Sequence, residues 1–145
     1  MKLVINECEE NEELEIIINC KKKDDNILKI VSMIKFNDIK LTVTRDGNLF
    51  ILDIDNIFYF ESVDKKNFVY TQDEVYETSL RLYEIEEIYP DTDFFRASKS
   101  TVINVSKIKM IKPLFGGKVE VLLENEEKLV VSRQYVSVLK KKINY

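Results

Sequence analysis

The sequence predicts a mainly β protein, a β-rich α+β chain of antiparallel strands with three short helices. Three observations predict it. Short runs of β-branched and aromatic residues recur between residues 39 and 131. Turn signals separate them, notably Asp46-Gly47 and Gly116-Gly117. Apolar residues at helical spacing are confined to three short segments.

Taken in order, residues 1–20 predict two strands around an acidic connector. Leu3-Val4-Ile5 is apolar, residues 9–13 are polar, and residues 14–19 hold Ile16, Ile17 and Ile18. Residues 24–36 predict a helix. Asp24, Asp25 and Asn26 offer N-caps, and Ile27, Ile30, Val31 and Ile34 form one apolar face. This N-terminal β-β-α unit is small enough to need the rest of the chain, or a partner, to pack on.

Strands over 39–44 and 49–54 join through the Asp46-Gly47 hairpin signal. Residues 57–63 form an aromatic-rich strand. Asp64-Lys65-Lys66-Asn67 is its polar tip and 68–70 the return; another turn leads to Val75-Tyr76. Residues 80–89 predict a helix capped by Ser79, with Leu82, Ile85 and Tyr89 on one side and Pro90 at its end. Strands follow over 94–96, 109–114, 118–123 and 128–131. A last helix begins after Ser132, turns Val136, Leu139 and Ile143 inward, and places Lys140, Lys141 and Lys142 at its C-terminal dipole.

Composition excludes much chemistry. The 145 residues make one domain, or one domain with an appendage, and include no histidine. That removes Ser-His-Asp and Cys-His nucleophile pairs and every histidine-based zinc site. Three glycines cannot build a dinucleotide-binding G-x-G-x-x-G, and Gly117-Lys118 has Lys112 and Val119 where a P-loop needs glycine and Ser/Thr. The 26 Asp and Glu residues show no spacing that singles out a catalytic pair. The expectation is no enzyme, no cofactor, no metal and no small-molecule substrate. Cys8 and Cys20 lack metal or redox spacing and read as buried thiols, with a redox switch as the alternative. No signal-peptide pattern opens the sequence and no apolar run approaches ~20 residues, so a cytoplasmic protein is expected.

The net charge of −4 is unevenly placed: −4 over residues 1–55, −7 over 56–95 and +7 over 96–145. A basic C-terminal third suits a polyanion partner or a solvated strand surface. Three constellations sharpen the choice. Residues 96–101, with Arg96, Ser98, Lys99, Ser100 and Thr101, combine two cations and three hydroxyls without an acid, which suits phosphate oxygens. The hydroxyls could equally cap their own backbone. Arg133 and Gln134, just after Ser132, stand where a helix begins and can read guanine and adenine edges; an ordinary capped amphipathic helix would leave Arg133 merely solvated. Lys65, Lys66 and Asn67 sit at a hairpin tip, where lysines also serve as edge protection. Phe58, Tyr59 and Phe60 are contiguous and cannot share one strand face, so they make a poor stacking platform for single strands.

At these residues the chain resembles LytTR-type DNA-binding domains, the output domains of many bacterial response regulators. Phe95 through Ser100, with Val102, Asn104 and Ile108, carries the strongest likeness. Ile57 to Glu61 resembles the family's "I-x-Y-I-E" strand, and Ser132-Arg133-Gln134-Tyr135 with Leu139 its C-terminal "S-R-x-x" and helix. Position 98 is Ser where many relatives carry histidine. The resemblance implies an elongated stack of small antiparallel sheets with short helices, whose loops enter successive major grooves of duplex DNA. It implies DNA contacts at Lys65, Lys66, Asn67, Ser98, Lys99, Ser100, Arg133 and Gln134; Arg96, in the same basic loop, is expected to bind DNA with them. It also implies two copies, a homodimer on paired sites. Residues 1–38 are too few for a receiver domain, which points to the standalone subgroup, with a membrane-protein regulatory partner. The expected division is 1–38, for dimerisation or regulatory docking, and 39–145, for DNA binding. Two competitors remain: a protein-interaction module without DNA binding, which would turn Lys99 and Arg133 inward or pair them, and an RNA-binding protein, which would expose stacking aromatics.

Overall fold

A computed structural model describes residues 2, 4–7, 9–10, 15–35, 40–89 and 92–145. The chain divides into two compact units, Met1–Asn37 and Asp38–Tyr145.

In the first unit, helix α1 spans Asp25–Lys35. Asp24 caps it, its Oδ1 accepting the Ile27 N–H at 3.0 Å. The two expected strands are not found: residues 15–20 form no strand, and Ile16 and Ile17 are open to solvent. A β-branched run becomes a strand only when a neighbour accepts its N–H and C=O groups. None does so among the described residues of this unit. Leu3 and residues 11–14 lie outside the described residues. Cys20 is exposed, contrary to the buried thiol expected, and Cys8 is outside the described set.

The second unit holds ten strands: β1 Lys40–Arg45, β2 Asn48–Asp53, β3 Tyr59–Val63, β4 Lys66–Tyr70, β5 Val75–Thr78, β6 Phe94–Ser98, β7 Thr101–Asn104, β8 Ile108–Pro113, β9 Val119–Leu123 and β10 Lys128–Val131. Helix α2 is Leu82–Ile88 and α3 is Val136–Lys142. A seven-stranded antiparallel sheet runs β2-β1-β5-β4-β3-β7-β6, and a three-stranded sheet runs β10-β9-β8. The β1–β2 hairpin turns on Asp46 and Gly47, both at positive φ, as a two-residue turn matching strand twist requires.

The large sheet is covered on both faces at β3, β6 and β7, while β1, β2 and β5 keep one face open to solvent. On one face, Leu82, Ile85 and Tyr89 of the α2 segment pack with Phe60, Val69 and Val102. On the other, Tyr59, Phe95 and Ile103 pack with Val121, Leu123 and Val131 of the small sheet and with Leu139 of α3. All of β7 is buried, which is why the sequence hid it: a strand covered on both sides has no alternation to read. Asn104 is tolerated there because it is satisfied. Its Nδ2 donates to the Ile57 carbonyl at 2.8 Å, and its Oδ1 accepts from Ser106 N–H and Oγ.

The α2 helix starts later than expected. Its N-cap is Arg81, whose N–H donates to Glu84 Oε1 at 3.3 Å, while Thr78 Oγ1, not Ser79, accepts the nearby Leu80 N–H. Pro90 lies outside the described residues. The last helix is also delayed. Residues Arg133–Tyr135 form a 3₁₀ turn, Ser132 makes no side-chain cap, and α3 begins only at Val136.

Burial first, then the nearby Glu127 carboxylate, push the ionisation of the Tyr59 hydroxyl well above the ordinary tyrosine range; burial raises Tyr70 and Tyr89 as well. The folded chain therefore holds these phenolic protons more tightly than the unfolded chain does. Their stabilisation is fully present below the unfolded tyrosine value of about 10 and is lost as pH rises beyond it. Urea unfolding at pH 8 to 11 should show stability falling above about pH 10, and Tyr59→Phe should flatten that decline. An alkaline slope identical in wild type and variant would contradict the assignment.

Candidate nucleic-acid interface

The three basic constellations come from distant parts of the sequence, and the fold brings them to one strand pair. The β3–β4 hairpin is tighter than the four-residue tip expected. Only Asp64 and Lys65 form the turn, both at positive φ, and Val63 faces Lys66 across it. Lys66 and Asn67 therefore stand on β4, with Asn67 between Ser62 of β3 and Thr78 of β5. Both strands of this hairpin are interior to the sheet, so its lysines guard no sheet edge. Lys65 and Lys66 are exposed and Asn67 is half-buried.

The second constellation is the β6–β7 turn. Arg96 holds it from within: Nε donates to the Ser98 carbonyl at 2.7 Å, Nη2 to the Lys99 carbonyl at 2.8 Å, and Nη1 to Glu86 Oε2 at 3.1 Å. Ser98 Oγ accepts the Ser100 N–H at 3.1 Å. The hydroxyl of Ser98 thus shapes the turn backbone, and Lys99 is left projecting into solvent. The Ser62 N–H donates to the Ser100 carbonyl at 2.8 Å, tying this turn to the β3–β4 hairpin.

The third constellation joins from the other side. The Ser132 N–H donates to the Ala97 carbonyl at 2.8 Å, so the chain leaving β10 is held against β6 just before the 3₁₀ turn that carries Arg133 and Gln134. Both side chains are exposed. Gly117 lies against Arg133: a Cβ at this glycine would stand 3.2 Å from Arg133 Cγ and 3.3 Å from Cδ. The glycine makes room for the arginine stem, and its φ of +79° is one that other residues adopt at a cost.

Residues of the first two constellations line one open groove, together with Ser79, read from the sequence only as a helix cap, and with Thr78, Arg81 and Tyr83, which the sequence reading passed over. The signal was present. Residues 56–95 carry ten acids and only three cations, Lys65, Lys66 and Arg81, and all three line this groove. Glu77 is its acidic member. The ion pairs among the described residues engage Lys40, Arg45, Arg96 and Lys109, but not Lys65, Lys66, Arg81, Lys99 or Arg133. Lys99 and Arg133 are thus neither turned inward nor paired among the described residues. Phe58, Tyr59 and Phe60 are all buried, so none offers a base a stacking face. No group of acids and cysteines able to hold a metal ion occurs among the described residues, and no described helix is long and apolar enough to cross a membrane.

An antiparallel scaffold that presents exposed cations outside any ion pair from its turns belongs with the β-based folds whose surfaces suit a nucleic acid. Within that class the comparisons are specific: residues 47–144 match the LytTr DNA-binding domain, and the chain belongs to that family. It is 35% identical over 102 residues to the sensory transduction protein LytT of Bacillus subtilis, covering 70% of this chain and 42% of that protein. It is 25% identical over 131 residues to an uncharacterized HTH-type transcriptional regulator of Staphylococcus aureus, covering 89% of this chain and 88% of that one. A solved LytTr DNA-binding domain from Bacillus cereus superposes with a TM-score of 0.69 at 25% identity, over 73% of this chain and 97% of that domain. The chain spans less than half the length of LytT.

The role of Arg96 is testable directly. Lysine keeps the charge but loses the planar fork that reaches two carbonyls and a carboxylate together. Arg96→Lys should speed amide hydrogen exchange at residues 98–101 by about ten-fold or more, since hydrogen bonds from a charged donor contribute about 1.5–3 kcal/mol. Exchange unchanged from wild type at these amides would show that the turn holds itself.

Proposed function

We propose that this protein is a transcriptional regulator that binds specific duplex DNA sequences through the tips of its β-rich unit. One observation supports this reading above the others: three segments spread over more than sixty residues of sequence are drawn to the β6–β7 pair, with their unpaired cations facing water. Such an arrangement suits a polyanion presented as a continuous surface.

Within that reading the residues divide by chemistry. Lys65, Lys66, Lys99 and Arg81 are phosphate contacts that set orientation. Asn67, Arg133 and Gln134 have the planar amide and guanidinium groups that pair with base edges in the major groove. Ser98 and Ser100 present the turn backbone and hydroxyls to the same DNA. Arg96 acts through the turn rather than on DNA, since its guanidinium is already engaged by Ser98, Lys99 and Glu86. Loops entering successive major grooves would occupy one face of the duplex, and two copies would fill a paired site. Residues 1–38 would serve dimerisation or docking to a membrane-protein partner in the cytoplasm.

The test begins with duplexes recovered from a random-sequence pool by the full chain, titrated by fluorescence anisotropy at several salt concentrations. Log affinity should fall with log salt by about 0.9 per phosphate neutralised. Lys99→Ala should weaken binding to all sequences and flatten that slope by about one contact. Arg133→Ala should cost about 1–3 kcal/mol on the selected sequence and less on random duplex. A pool that enriches no sequence, with no duplex bound even at low salt, would overturn the proposal.

A further inference from the structure

Among the described residues of the second unit, Phe115 is the most exposed of the large apolar side chains. It is wholly exposed, at the outer end of the β8–β9 turn. The turn is closed by the Leu114 N–H to the Lys118 carbonyl at 2.9 Å and runs through Gly116 and Gly117, both at positive φ. These contacts hold the backbone and leave the phenyl ring in water.

The surroundings point to what would cover it. From Phe94 to Val119 the sequence has no acidic residue, and Lys112 and Lys118 flank the turn. Gly117, two residues from the ring, lies against the stem of Arg133. A second copy of the chain would bring like charges together here, whereas a polyanion would complement them. In the major groove, the apolar feature that a base edge offers is the 5-methyl of thymine, and phenylalanine is among the side chains that contact it.

We infer that Phe115 is a further DNA contact: it packs on a thymine methyl beside the base pair that Arg133 reads, and Gly117 positions the two together. This rests on the DNA-binding reading and adds to it a fourth contacting element, apolar rather than charged.

The experiment uses the duplex selected by the wild-type chain, prepared with thymine and with uracil at each T in turn. Wild type, Phe115→Ala and Phe115→Leu are titrated on each. Because the ring touches nothing in the fold, the variants should keep the wild-type circular dichroism and melting curve. Wild type should lose about four-fold in affinity at one or two uracil positions, as expected for one buried methyl-sized group. Phe115→Ala should bind the thymine duplex about as weakly as wild type binds the uracil duplex, and should be indifferent to the exchange. Phe115→Leu should keep most of the preference. If Phe115→Ala binds like wild type and still discriminates thymine, this inference is overturned while the DNA-binding reading stands. A change in sedimentation with DNA affinity intact also overturns it, and assigns the ring to contact between copies. A pool that enriches no duplex overturns both.

Discussion

Two backbone hydrogen bonds organise the candidate interface: Ser132 N–H to the Ala97 carbonyl and Ser62 N–H to the Ser100 carbonyl, each 2.8 Å. One brings the start of the C-terminal 3₁₀ turn onto β6. The other brings β3 and its hairpin onto the β6–β7 turn. Two of the basic segments lie on hairpins of the large sheet and the third follows β10 of the small one. With these two bonds, residues near 65, 99 and 133 share one rigid frame. A backbone bond suits this purpose because it fixes position without committing the side chains, which stay free to face outward.

Those bonds hold their geometry because the strands around them are buried. Ala97 and Ile103 have no exposed surface, and β7 is covered on both faces. Removing such backbone groups from water makes an unpaired amide or carbonyl costly, so the register is sharply defined. Asn104 extends the same logic to a side chain. It bridges Ile57 and Ser106 and fixes where β7 ends. Arg96 does so at the surface, spending its fork on two carbonyls and Glu86. The cations that project are therefore the ones the fold does not need.

Much of this was legible in the sequence. The hairpin at Asp46-Gly47, the strands of the small sheet and the apolar sides of α2 and α3 follow from turn chemistry and periodicity, which are local. The likeness at Phe95–Ser100 and at Ser132–Tyr135 pointed to the family to which the chain belongs. What was misread has local explanations too. The 14–19 run has a strand's composition but no partner among the described residues of its unit. Thr101–Asn104 is a strand whose double-sided burial removes its pattern. Arg81 was overlooked because it lies in an acidic segment, although it lines the groove with Lys65 and Lys66.

The sequence by itself determined the β-rich class, the family and which segments are basic, because strand propensity, turn residues and charge are properties of neighbouring residues. Only the tertiary structure decided that Lys65, Arg81 and Lys99 line one groove. It also decided that Arg96 turns inward while Arg133 stays free, and that Gly117 makes room for the Arg133 stem. Those facts depend on strand order and on hydrogen bonds between residues far apart in the chain. Such pairings are set by which faces can be buried together, and a linear pattern does not encode them.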